Sequence, residues 1–226
     1  MPALGFEQVA DRVWVHTSWL KYPQGWFPSN GLVVQGPRGV LLVDTAWTPP
    51  QTVELIDRIE RVTGSRPLNL VVTHAHDDRM GGLSEVHARN CLSLAHEETA
   101  RFAHKQGLAT NFTGTWPGEI HTLTDTGRTV ELFYPGAAHS PDNTVAFIED
   151  VGVLFGGCMI RGAEQAGLGN TTDADLCHWP VAARAVQERY GERASIIIPG
   201  HGKPGPASLL SHTVALAEAA QQKPCG

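Results

Sequence analysis

An apolar run that ends abruptly on metal-binding side chains constrains this chain more than any other feature. Leu68 to Thr73 is a β-branched run without apolar–polar alternation, as expected of a strand buried on both faces. It continues directly into His74-Ala75-His76-Asp77-Asp78-Arg79-Met80-Gly81-Gly82. Two imidazoles and a carboxylate at two-residue steps are nitrogen and oxygen donors of the kind that bind zinc. With 11 His and 10 Asp in 226 residues, composition alone would place a His-x-His-x-Asp in such a chain only about 0.02 times. Chance therefore does not explain the cluster.

The surrounding pattern fits an α/β chain. Phe6, Val9, Val13 and Val15 sit among polar neighbours and read as edge strands. Residues 32–35 and 40–44 read as a hairpin around Gly36-Pro37-Arg38-Gly39. Thr48 precedes Pro49 and Pro50, which open a helix with Val53, Ile56, Ile59 and Val62 on one face and Gly64 at its end. Strand, helix and buried strand in this order predict an α/β sandwich rather than an all-β fold. Further strands are expected at 91–95, 130–134, 145–148, 151–155 and 195–198. Helices are expected at 81–88, 96–105, from Asp173 through Tyr190, and from Ser208. Residues 107–117 read as a loop. No low-complexity segment or linker interrupts the pattern, so residues 1–226 read as one domain. The stretch from Ser18 to Pro28 is harder to place. Two prolines and a glycine argue against a regular strand, yet it carries Trp19, Leu20, Tyr22, Trp26 and Phe27. Either it folds back on the core, or it forms a hairpin with an apolar tip over a site.

A net charge of −6 and a pI near 6.0 argue against an electrostatic nucleic-acid binder. No apolar run is long enough to span a membrane, and no secretory signal pattern is visible. Cys91, Cys158, Cys177 and Cys225 follow no framework spacing. Cys91 reads as a buried thiol, and Cys177 and Cys225 carry no assignment.

Three more donors share the context of the opening cluster. His139 follows a strand and precedes Ser-Pro-Asp-Asn, Cys158 follows a strand and two glycines, and His201 follows a strand inside Pro-Gly-His-Gly. Glycine lets backbones approach closely, so loops at strand ends can converge on one point. Six donors make two three-ligand sites, each with the open position that catalytic zinc retains. His74, His76 and His139 would form the first; Asp78, Cys158 and His201 the second, with Cys158 as thiolate.

His74-Ala75-His76-Asp77-Asp78-Arg79, His139, Gly157-Cys158 and Pro199-Gly200-His201-Gly202 resemble the metallo-β-lactamase superfamily, in order and across nearly the whole chain. Two departures narrow the match. Glyoxalase- and lactonase-type members carry His where this chain has Arg79, and a bridging Asp where it has Cys158. Both departures are similar to the class B β-lactamases whose two zincs are held by three His and by Asp, Cys and His. Residues 130–136 and Leu168-Gly169-Asn170 are similar to that subclass as well.

The resemblance implies a four-layer αβ/βα sandwich with its active site at one edge of the two sheets. It implies two Zn2+ per chain and hydrolysis of penicillins, cephalosporins and carbapenems, and thus antibiotic resistance. The reaction would be attack of a zinc-bridging hydroxide on the lactam carbonyl. Asp78 would orient that hydroxide besides ligating, and Asn170 would assist the oxyanion. Arg161 stands where many members have a substrate-binding Lys. Arg79 would pair with Asp78, Asp77 or Asp44 and orient the ligand. Trp26 and Phe27 would lie over the substrate on a mobile hairpin, and Trp47 would line the floor. The family also implies a bacterial periplasmic enzyme without an obligate protein partner. Two other readings use the same donors: a thioester or lactone hydrolase, and a zinc carrier without catalysis.

Overall fold

The computed structural model describes residues 1–221, so Cys225 lies outside the described residues. Its elements, in chain order, are β1 (Gly5–Ala10), β2 (Val13–Tyr22), β3 (Gly25–Gly36), β4 (Gly39–Val43), α1 (Pro49–Thr63), β5 (Pro67–Val72), α2 (Asp77–Met80), α3 (Leu83–His87), β6 (Leu92–His96) and α4 (Glu97–Lys105). Then follow β7 (Gly114–Trp116), β8 (Ile120–Leu123), β9 (Val130–Phe133), β10 (Val145–Ile148), β11 (Val153–Gly157), α5 (Trp179–Tyr190), β12 (Ile196–Pro199) and α6 (Ser208–Ala220).

Strand periodicity builds the layers. In β4, Val40 and Leu42 face the helical side while Leu41 and Val43 face the other sheet, and all four are buried. In β10, Val145 and Phe147 face helices while Ala146 and Ile148 face the first sheet. A period of two with both faces apolar requires cover on both sides. One sheet runs β1-β2-β3-β4-β5-β6-β7 and the other β12-β11-β10-β9-β8. One core joins the first sheet to Leu55, Ile56 and Ile59 of α1, a second lies between the sheets, and a third joins the second sheet to α5 and α6. The result is the expected helix–sheet–sheet–helix sandwich.

Three expectations need correction. The first concerns residues 18–28: of the two expectations the hairpin is the one observed, and the prolines and glycine do not prevent regular strands on either side of the turn at residues 23–24. β2 and β3 pair without interruption from Val13↔Val34 to Tyr22↔Gly25. Pro28 is tolerated because β4 pairs with β3 only from Leu32 onward; at Pro28 no second neighbour requires an N–H. Second, residues 107–117 contain β7, a three-residue edge strand too short to show a period. Third, α5 begins at Trp179, not at Asp173. Asp175 accepts from the N–H groups of Cys177 and His178 and organises the turn before the helix, which leaves Asp173 for another task.

Candidate metal centre

The C-terminal ends of β5, β11 and β12, and the loop after β9, all open on one edge of the sandwich. They bring the six donors together. Nε2 of His139 lies 3.2 Å from Nδ1 of His76. The donor atoms of His74, His76 and His139 all lie within 4.8 Å of one another. Beside them, Sγ of Cys158 lies 3.2 Å from Nε2 of His201 and 3.5 Å from Oδ2 of Asp78. His201 Nε2 and Asp78 Oδ2 close this triangle at 3.4 Å. His74 also groups with Asp78 and Cys158 within 4.8 Å, so it adjoins both triads.

The surroundings orient the donors for a cation. Nδ1–H of His201 donates to the Pro28 carbonyl at 2.6 Å, which leaves Nε2 as the free lone pair. Nε2–H of His76 donates to Asp173 at 3.1 Å, which leaves Nδ1 facing the cluster. These proton positions are assigned from the partners. Nε2 of His74 is buried without a hydrogen-bond partner among the described residues. An orphaned buried nitrogen costs stability unless something binds it. Three imidazoles beside a carboxylate, a sulfur and a fourth imidazole form a donor set suited to zinc.

Arg79 organises the second triad. It is fully buried and pairs with Asp78 at 2.6 Å and with Asp44 at 3.2 Å. It also donates to Cys158 Sγ at 3.0 Å and to the carbonyls of Asn30 and Gly200. Burial alone would push the Cys158 thiol up, but Arg79, His201 and His74 beside it hold it well below the ordinary thiol value. Burial would likewise lower His201, yet Cys158 and Asp78 raise it overall. For His74 burial prevails and keeps the imidazole below its usual value. These surroundings favour a thiolate at Cys158 and a neutral His74, the forms that ligate. Close approach of the two strand ends depends on Gly200: a Cβ there would lie 2.6 Å from the Cys158 nitrogen and 2.8 Å from the Arg79 guanidinium.

A cavity of about 530 Å³ opens over the cluster, a size suited to a small-molecule ligand. His76, Asp78, His139 and His201 line the side of it that faces the donor cluster. A model of the metallo-beta-lactamase superfamily matches residues 24–201. The chain belongs to that superfamily. It is 36% identical over 216 residues to a metallo-beta-lactamase type 2 of Bacillus sp. (strain 170), covering 94% of this chain and 82% of the relative. A metallo-beta-lactamase type 2 of Pseudomonas aeruginosa is 32% identical, covering 94% of this chain and 84% of the relative. Among solved structures, the DIM-1 metallo-beta-lactamase superposes with a TM-score of 0.91 at 36% identity, covering 97% of this chain and 99% of that one. FIM-1 from Pseudomonas aeruginosa, solved in a mono-zinc form, gives 0.90 at 36% identity, covering 98% of each chain.

Placed on this metallo-β-lactamase fold, the remaining expected residues divide. Phe27, Trp47, Arg161 and Asn170 line the cavity. Trp26 does not appear among its lining residues. In the β2–β3 hairpin Trp26 pairs with Lys21, whose ammonium lies 5.9 Å from the indole, while Leu20 pairs with Phe27 on the other face. Alternation therefore sends the two neighbouring aromatics in opposite directions. Tyr22, not anticipated, shares the Phe27 face and packs edge-on against both Phe27 and Trp47. Its period-two relation to Leu20 was readable once the segment is taken as strand. Gln24, Asp77, Gln165 and Asp173 also line the cavity and carried no signal in the sequence.

Proposed function

We propose that this chain is a zinc-dependent β-lactamase that binds two zinc ions per chain, through His74, His76 and His139 and through Asp78, Cys158 and His201. The observation that carries this is the pair of triads, one all-imidazole and one with sulfur, facing a single cavity. When bound, zinc supplies Lewis acidity toward the lactam carbonyl and a water acidified to near neutral pKa. The chain's own residues bind, orient and stabilise. The cavity lining contains no Ser, Thr, Lys or free Cys to act as an acylated nucleophile among the described residues, which favours direct hydrolysis. Asp78, at the cavity floor, also accepts from the Ser29 hydroxyl at 3.1 Å, so its carboxylate is held in place to ligate and to orient the attacking water.

Asn170 supports an oxyanion role. Its Oδ1 accepts from both the backbone N–H and the hydroxyl of Thr172, so its NH2 remains as a free donor. A donor aimed at a carbonyl oxygen gains strength as negative charge develops there. Arg161 is nearly buried and anchored through Nε to the Gly167 carbonyl at 3.1 Å. It forms no ion pair among the described residues, and its terminal nitrogens serve in this reading to grip the substrate carboxylate. Arg161→Ala is expected to raise KM about 10–100-fold, the worth of one charge-assisted hydrogen bond. Arg161→Lys restores part of that loss because a point charge cannot reproduce the fork. Steady-state kinetics on one penicillin and one cephalosporin check both.

The hairpin gives a sharper contrast. Phe27→Ala is expected to raise KM for bulky substrates several-fold, the loss of roughly 0.5–1.5 kcal/mol of aromatic contact, while Trp26→Ala leaves it within twofold. Equal effects from the two variants would refute the face assignment. Carbapenems fall within the proposed range, since the lactam amide and its neighbouring carboxylate are all the site is required to grip. The proposed compartment is the bacterial periplasm, and residues 1–226 are read as one domain because both sheets share the middle core.

The reading is tested by loading the protein with zinc and following ring opening of a chromogenic cephalosporin. Turnover that disappears with a chelator and returns with zinc is expected. Turnover confined to thioesters or lactones would replace the lactamase reading, and tight zinc binding without hydrolysis would favour a carrier.

A further inference from the structure

The three-His centre is assembled from two loops that are distant in sequence, and one side chain joins them. Asp142 is fully buried. Its Oδ2 accepts the N–H of Ala75, the residue between His74 and His76, at 2.8 Å. Its Oδ1 accepts the hydroxyl of Ser140, the residue after His139, at 2.8 Å. Its backbone carbonyl accepts the Thr99 hydroxyl of α4 at 3.3 Å, which anchors the turn from outside. Both carboxylate oxygens act as acceptors, and among the described residues no cation forms an ion pair with Asp142. A buried carboxylate without a cationic partner is unfavourable. The donor set it holds consists of three imidazoles, a ligand type that brings no negative charge to a dication.

We propose that Asp142 is the positioning residue of the three-His centre. Its carboxylate sets the spacing of the His74–His76 segment against His139, and its otherwise uncompensated charge favours a dication at those imidazoles. This rests on the assignment of His74, His76 and His139 as a metal site. Tether and charge can be separated. Asp142→Asn retains an oxygen for the Ala75 N–H. Its NH2 can donate to the Ser140 hydroxyl, which turns its own proton toward Asn143 Oδ1, already 3.3 Å away. That variant keeps the tether and removes the charge. Asp142→Ala removes both.

The test measures metal affinity by competition with a chromophoric chelator, together with cobalt substitution, in which the thiolate-to-cobalt absorption reports the Cys158 centre separately. Asp142→Ala is expected to weaken binding at the three-His centre about 10–100-fold with the thiolate band retained. Asp142→Asn is expected to weaken it roughly tenfold. Thr99→Val, which loosens the turn without touching the carboxylate, is expected to match wild type. If Asp142→Ala does not fold, Asp142→Asn carries the test. The proposal is overturned if Asp142→Asn binds like wild type at that centre, if both centres weaken equally, or if Thr99→Val reproduces the loss. Wild-type protein that takes up no cobalt at the imidazoles would instead sink the metal site itself.

Discussion

Replacing Arg79 by alanine is expected to destabilise the metal-free protein by about 3–5 kcal/mol, the cost of removing one partner from a buried charge cluster. For a chain of this length that corresponds to a fall in Tm on the order of 10 °C. The magnitude follows from what is left behind. Asp78, Asp44 and Cys158 all contact the guanidinium and are all buried, and no other cation forms an ion pair with Asp78 or Asp44 among the described residues except His201 at Asp78. The Asn30 carbonyl loses its donor as well, whereas the Gly200 carbonyl keeps the Asn30 N–H. The same substitution is expected to weaken zinc at the Cys158 centre, because Arg79 helps hold that sulfur as thiolate. Arg79→Lys recovers little, since one ammonium cannot address two carboxyl groups, a sulfur and two carbonyls at once. Thermal melts of metal-free protein and zinc stoichiometry measure the two effects separately. An unchanged Tm would show that the cluster does not depend on this cation.

Cys158→Ser is the second large effect. A serine hydroxyl is a poor zinc ligand and stays protonated where a thiol beside Arg79 does not. The expected result is one zinc per chain instead of two, held by His74, His76 and His139. Lactam hydrolysis is expected to fall on the order of 100-fold, corresponding to about 2.7 kcal/mol of lost transition-state stabilisation. The loss should show in kcat more than in KM if the Cys158 centre stabilises the departing ring nitrogen, and the reverse if it mainly holds the substrate carboxylate. Two zincs per chain in the variant would remove Cys158 from the ligand set.

Much of this is legible in the amino-acid sequence. Chemistry that depends on residue type and local period survives reading from the chain alone. Six donors at strand ends, the buried runs of β4, β5 and β12, and the Pro-started α1 are all local patterns. Arg79 beside Asp78 and the Cys at position 158 were enough to narrow the family. Local signals failed where an element is short or where a penalty depends on a neighbour. β7 has three residues, too few for a period. Pro23 and Pro28 argue against strand, but Pro23 lies in the turn between β2 and β3, and at Pro28 no second neighbouring strand needs its N–H because β4 ends short of it.

What the sequence determined by itself is the inventory of donors, their division into loops at strand ends, the layer order and the superfamily. Only the tertiary structure decided how they meet. Asp173 reaches His76 across 97 residues, and Arg79 reaches Cys158 across 79. The hairpin register directs Phe27 into the cavity and leaves Trp26 outside its lining. Asp142 joins the two loops of the three-His centre. The physical reason is the same in each case. A side chain's chemistry is a property of one residue, but a hydrogen bond or ion pair is a property of a distance, and these distances are set by strand register and layer packing over the whole fold.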